Sequence, residues 1–343
     1  MTTRSDRTCW QGWVAAPLMA LLATISCVNP AAPTPPADGP PIIVCPAPLT
    51  VPSPNGGPAD VFYSKPQVTG GAQPLQTSCT PTIGATFDAG TTTVSCTTVD
   101  ASQQTASCSF DVTVVVPTLP VTSFMAFGDS ITWGSNGMCV RRFDGDPTTW
   151  AFQDLQSLWA NVNPPSAAYP GVLEALLENR YRQQTFTVAN EGLPGEAVTN
   201  VNTFPRFVTA LDTHRPEVLL LQEGVNDLHA PASRRPSPAA IAAALGEMVR
   251  EARGRGILVF LGTLLPERVG ACRAFGPERI PPANVEIRAV AAREGAVLVD
   301  LYQVFVAQQG TLLDEDGLHP SAAGYTKMAE TFFDAIRAQL EAP

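Results

Sequence analysis

A chain of 343 residues with 45% hydrophobic and only 15% charged residues can bury a sizeable core, and its length leaves room for two folded units. That composition excludes a disordered polymer. A formal net charge of −10, with no Lys/Arg cluster longer than a pair, argues against nucleic acid as a partner.

The first residues read as an export signal. Arg4 and Arg7, with Asp6 between them, give a weakly positive start, and Val14 to Ile25 is apolar apart from Thr24. Such a stretch suits a signal peptide over residues 1–27 and is too short to cross a bilayer comfortably. Thr24-Ile25-Ser26-Cys27 resembles the lipobox of bacterial lipoproteins, with Thr24 where Leu is usual. The resemblance implies a lipid anchor on Cys27; ordinary cleavage nearby would instead leave Cys27 a spare thiol. The expected location is therefore periplasmic, on the outer membrane as a lipoprotein, or extracellular, with membrane contact only through that anchor. Of eight cysteines, Cys9 falls in the signal and Cys27 at its end, and an even number in an oxidising compartment favours disulfides. Residues 28–41 form a Pro-rich tether, extended and semi-rigid.

Residues 42–117 are poor in helix formers and rich in Thr, Val, Ser, Gly and Pro. Cys108, Phe110, Val112, Val114 and Val116 alternate with polar positions, the period of a half-buried strand. Thr92, Val94 and Cys96 repeat the pattern after the turn Asp88-Ala89-Gly90, so a small β-sandwich is expected. The run from Cys45-Pro46 through Phe87-Asp88-Ala89-Gly90 and Val94-Ser95-Cys96 to Ser107-Cys108-Ser109-Phe110 resembles a HYR (hyalin-repeat) module, which implies an immunoglobulin-like fold. Four cysteines allow three pairings; Cys45–Cys108, joining first and last strands, with Cys79–Cys96 is the favoured one. The segment holds no His, so its expected role is spacer or adhesion, toward a cell-surface or matrix ligand.

From Val121 the texture becomes α/β. Strands are predicted at Thr122–Phe127, Phe186–Ala189, Val218–Gln222, Ile257–Leu261 and Ala296–Leu301. Helices are predicted at Tyr169–Arg182, Asn200–Asp212, Pro238–Arg255, Ala283–Glu294 and Ser321–Ala342. This alternation predicts a three-layer α/β/α domain on a parallel five-stranded sheet over 121–343.

Ligands of such a sheet gather at the carboxyl ends of its strands. Asp129-Ser130 follows the first strand there, Asn190-Glu191-Gly192 the second and Gly224-Val225-Asn226-Asp227 the third. His319 precedes the last helix. Taken singly, Asp129-Ser130 reads as a helix N-cap and Asn226-Asp227 as loop. Together with Asp316-Gly317-Leu318-His319-Pro320 they resemble the blocks of the SGNH (GDSL-type) hydrolases, in order and spacing. The resemblance implies a flavodoxin-like fold, Ser130 as nucleophile, His319 as base and Asp316 as its carboxylate. It also implies oxyanion donors at the backbone N–H of Ser130, the backbone N–H of Gly192 and the side-chain amide of Asn226. Serine needs such a base and the base needs an orienting acid. His214, at a helix end, is expected to be structural; His229 is the second candidate base and Glu315 the fallback for Asp316. No G-x-S-x-G elbow surrounds Ser130, and three scattered His with no C-x-x-C give no metal site and no cofactor.

Two irregular stretches should reach the catalytic rim, one from the first block to Tyr169 with Cys139, Arg141, Arg142 and Trp150, the other from Pro266 to Pro282 with Cys272. A Cys139–Cys272 disulfide is expected to pin them beside the pocket. Trp133, Asp129 and His229 are the candidate substrate contacts, although the tryptophans would serve equally as loop anchors. The expected activity is hydrolysis of carboxylic esters, acyl or acetyl, of small alcohols, glycans or lipids. The rival reading is a non-catalytic surface binding or adhesion lipoprotein that works through its HYR-like module.

Overall fold

The computed structural model describes residues 39–137, 139–141, 150–152 and 167–342, with side chains described outside 139–141 and 150–152. The signal, Cys27, most of the tether, Arg142 and the side chains of Cys139, Arg141 and Trp150 lie outside the described residues.

The amino-terminal unit contains β1 (Ile42–Val44), β2 (Leu49–Pro52), β3 (Ala59–Asp60), β4 (Gln67–Thr69), β5 (Gln76–Thr80), β6 (Thr86–Phe87), β7 (Gly90–Val99) and β8 (Thr105–Val115). A four-stranded sheet runs β2-β8-β7-β5, and β1 pairs with β4 and β3 with β6. Phe110, Val112 and Val114 point inward and meet Val61, Tyr63, Phe87 and Val94 in a core of their own, as the alternation predicts. Cys45 is bonded to Cys108 and Cys79 to Cys96. The second pair joins residues directly opposite across β5 and β7.

The second unit is built on five parallel strands: β9 (Ser123–Gly128), β12 (Thr187–Gly192), β13 (Val218–Gln222), β14 (Leu258–Gly262) and β15 (Val297–Val299). Their order is β12-β9-β13-β14-β15, the flavodoxin-like arrangement with its switch point beside β9. Both faces must be covered, so β13 is buried at every position and reads as an unbroken apolar run ending in Gln222. Helices α2 (Tyr169–Arg180) and α9 (Ala322–Leu340) pack together, and α3 (Thr203–His214), α5 (Pro238–Gly254) and α6 (Ile280–Glu294) pack in succession. Short helices α1 (Ser130–Trp133), α4 (Val225–His229), α7 (Leu301–Phe305) and α8 (Gln309–Leu312) follow strand ends or link elements. The predicted long connection after the first block also contains an antiparallel pair, β10 (Cys139–Arg141) with β11 (Trp150–Phe152).

The two units are joined at the amino edge of the parallel sheet. Gln184 exchanges two hydrogen bonds with the backbone of Leu119, at 2.9 and 2.8 Å. Arg180, at the end of α2, donates to the Pro54 carbonyl at 2.6 Å and to Glu341 at 3.2 and 2.8 Å. Gly56, at φ 74°, lies so close that a Cβ would stand 2.0 Å from the Arg180 carbonyl oxygen.

Candidate active site

Strands β12, β9 and β13 end level, since Gly192 and Gln222 both pair with Gly128. Whatever follows these three positions emerges on one rim. Asp129 ends β9 by accepting from the Ile131 N–H at 2.9 Å, which starts α1 with Ser130 as its first residue. His319 arrives from the loop before α9, whose N-cap is Ser321.

Ser130 Oγ lies 2.9 Å from His319 Nε2, and His319 Nδ1 lies 2.6 Å from Asp316 Oδ2. With Nδ1–H directed at the carboxylate, Nε2 is left to accept the serine proton. Asp316 Oδ1 accepts from the N–H groups of Leu318 (2.9 Å) and His319 (3.0 Å), so the short turn that Gly317 closes at φ 75° aims both side chains. Burial would raise the Asp316 pKa, but the His319 hydrogen bond and charge and those two N–H groups outweigh it and hold the carboxyl below its ordinary value. Asp316 and His319 are buried and Ser130 is 6% exposed. Glu315, the fallback, is exposed and gives its carbonyl to Arg268.

The predicted oxyanion donors fare unequally. Asn226 sits on α4 and gives one amide N–H to the Glu196 carbonyl at 2.8 Å. The Gly192 N–H is already donated to Asn190 Oδ1 at 3.0 Å, and a Cβ there would meet Trp133 N at 2.1 Å. Gly192 is thus a buried packing point of β12 against α1 rather than an open donor. Three residues on, Gly195 is exposed, at φ 81°, with open space where a Cβ would be. Its N–H has no acceptor among the described residues, and the Asn226 amide touches the very next residue. The intervening loop is held by Arg206, which pairs with both Glu196 and Glu191 and stacks over Phe127 at 4.0 Å. Asp227 holds its far end through Val198 N (2.8 Å) and Thr199 N (3.1 Å).

One of the three expected substrate contacts, Asp129, is corrected. Asp129 is fully buried, serves as the N-cap and presents nothing to a substrate. Burial pushes its pKa up to about 7; the Ile131 N–H opposes this, Asp227 and Glu196 add to it, and Arg273 opposes. His229 is only partly buried, its side chain 9% exposed, and its Nε2 lies 2.6 Å from Glu267 Oε1. The carboxylate for His229 is therefore Glu267, 38 residues away, while Asp227 is engaged elsewhere. Trp133 is 41% exposed one turn from Ser130. His214 closes α3 and meets Glu191 at 2.7 Å, a structural place as expected. Cys272 is disulfide-bonded; its expected partner side chain, Cys139, lies outside the described residues. Sequence reading also passed over Glu223, fully buried beside Asp129 with neither carboxylate oxygen bonded among the described residues. Burial raises its pKa well above the ordinary value, with Asp129, Glu196 and Asp227 adding to the effect.

The GDSL-like lipase/acylhydrolase family matches residues 126–327 and the HYR domain matches residues 38–114. Esterase TesA of Pseudomonas aeruginosa is 27% identical over 166 residues, which is 48% of this chain and 77% of that protein. A lipase/acylhydrolase from Enterococcus faecalis matches in structure with TM-score 0.49 and 21% identity, over 64% of this chain and 97% of that one. An acetylxylan esterase from Geobacillus stearothermophilus matches with TM-score 0.47 and 20% identity, over 63% and 95%.

Proposed function

Since the chain belongs to the GDSL-like lipase/acylhydrolase family, we propose that it is an exported serine esterase that cleaves carboxylic esters through an acyl-Ser130 intermediate. The observation that carries the reading is the unbroken line from Asp316 Oδ2 to His319 at 2.6 Å and from His319 to Ser130 Oγ at 2.9 Å.

In this reading His319 Nε2 takes the Ser130 proton as Oγ attacks the ester carbonyl, and Asp316 stabilises the imidazolium that forms. The tetrahedral oxyanion is met by the Ser130 N–H, the Gly195 N–H and the free amide hydrogen of Asn226, in place of the Gly192 donor. Such donors act on charge that develops only in the transition state, and each supplies about 10²–10³ in kcat. His319 returns its proton to the leaving alcohol, and water then repeats the sequence to release the acid. Trp133, exposed beside the nucleophile, is proposed as the wall for the acyl or alcohol portion, with small acyl esters of glycan or lipid alcohols as the substrate class. Two disulfides in the amino-terminal unit and a bonded Cys272 support export to an oxidising compartment.

The test is fluorophosphonate labelling together with p-nitrophenyl acetate turnover, on the mature protein and on Ser130→Ala. Both signals are expected in the former and neither in the latter. A folded wild-type protein that neither labels nor turns over ester would sink the proposal and leave the binding-module reading in its place.

A further inference from the structure

The loop that carries Asp316 belongs to no strand of the sheet, and most of its support comes from the irregular segment that follows β14. Arg268 gives its backbone N–H to the Gly317 carbonyl at 2.8 Å and its guanidinium to the carbonyls of Asp314 and Glu315 at 2.7 and 2.8 Å. The Arg273 N–H donates to the Asp316 carbonyl at 2.9 Å. Ala271 abuts the turn so closely that a Cβ on Gly317 would fall 2.3 Å from its own. The tip of this segment is thus fastened to the catalytic acid's backbone.

Its base is fastened elsewhere, through one buried carboxylate. Glu267 has no exposed side-chain surface, and both of its oxygens are used. Oε1 meets His229 Nε2 at 2.6 Å, and Oε2 accepts from the Gly276 N–H at 2.9 Å, drawing the two ends of the segment together. His229 is the last residue of α4, one turn beyond Asn226, and packs edge-on against Phe275 at 5.1 Å. Arg279 repeats the link, donating to the carbonyls of Leu228 (3.1 Å) and Phe275 (3.0 Å). Residues 267–276 therefore bridge two parts of the reaction machinery that are 90 residues apart in the chain, the helix of Asn226 and the loop of Asp316.

Building on the esterase reading, we infer that Glu267, locked by His229, is a positioning residue that keeps the Asn226 amide and the Asp316–His319 pair in one fixed frame. The Glu267 side chain has no exposed surface and so acts through its neighbours. A carboxylate is needed at this point because it must accept from two N–H donors at once, in a place closed to water. Losing the bridge lets the oxyanion donor and the base shift against each other, and misplacement by about 1 Å typically costs on the order of 100-fold in rate.

The experiment compares Glu267→Ala, His229→Leu and His229→Gln with wild type at 25 °C by ester turnover, fluorophosphonate labelling rate and thermal melting. His229→Leu is expected to lower kcat and the labelling rate together by about 10–100-fold while KM stays within about twofold. His229→Gln, which keeps an amide donor for Glu267, is expected to recover most of that loss. Glu267→Ala should match His229→Leu or fall further. If these variants melt lower yet keep wild-type kcat and labelling, the bridge is only packing and the inference is overturned while the esterase reading stands. Absence of labelling in the wild type overturns both.

Discussion

Gly137 offers the sharpest test of the site geometry. A Cβ built there falls 1.8 Å from Asp316 Cγ and 2.0 and 2.2 Å from its two oxygens, deep inside contact distance. The backbones are tied as well, since the Asp316 N–H donates to the Gly137 carbonyl at 3.3 Å and the Gly137 N–H to Asp314 Oδ2 at 3.0 Å. Restoring ordinary contact after Gly137→Ala requires roughly 1.5 Å of movement, which a buried side chain can find only by leaving its partners. The 2.6 Å bond to His319 would then exceed hydrogen-bond reach. Loss of the orienting acid in a Ser-His-Asp triad costs about 10⁴ in kcat, so the expected fall is roughly 10³–10⁴-fold, or about 4–5.5 kcal/mol of barrier. The assay is p-nitrophenyl acetate turnover with circular dichroism as the folding check, run as a cycle with Asp316→Ala. Truncating Asp316 removes the clashing atoms, so Gly137→Ala added to Asp316→Ala should cost no more than about twofold further. A single Gly137→Ala variant within tenfold of wild type, or a double variant another tenfold slower, would refute the reasoning.

Two further outcomes are expected. Asp129 holds its proton up to about pH 7 in the folded state against 3.8 for the ordinary carboxyl. The folded protein therefore binds a proton that the unfolded chain has lost, and this contribution, complete below about pH 4, is lost as pH rises to about 7. Asp129→Asn keeps the N-cap acceptor and lacks the titration, so relative to it the wild type should lose on the order of 4 kcal/mol across that window in urea melts; parallel curves for the two proteins would count against it. Cys272 lies between Ala271 and Arg273, both fastened to the catalytic loop. Dithiothreitol is expected to lower kcat by about tenfold in wild type, as loosening of that loop would. Cys272→Ser should be slow from the outset and indifferent to reductant, and full activity under reduction would contradict this.

Much of the architecture was legible because it rests on local rules. The apolar run Val218–Leu221, closed by Gln222, needs two covered faces, and the strand matches its expected bounds to the residue. The last helix announces itself through Ser321, and of the three possible cysteine pairings the favoured one, Cys45–Cys108 with Cys79–Cys96, is the one present. Ser130, Asp316 and His319 are legible only through the resemblance carried by four blocks in order and spacing, since Asp129-Ser130 alone reads as a cap and Asp316 alone as a turn. The oxyanion loop misled: Gly192 ends β12 and Gly195 follows it, and only the folded backbone shows that the Asn190 side chain consumes the N–H of the first. Asp129 was read in both ways, and burial decides for the cap. Gly137 and Glu267 left no sequence signal at all. Each acts on a residue distant in the chain from within an irregular segment, where no periodicity exists to read.

The joint between the two units also sets which way the molecule faces. The segment entering β9 and the end of α2 both lie at the amino edge of the parallel sheet, and there Arg180 meets the Pro54 loop. Ser130 and its partners open at the opposite edge. The contact that Arg180 makes with the sandwich therefore lies across the sheet from the catalytic rim.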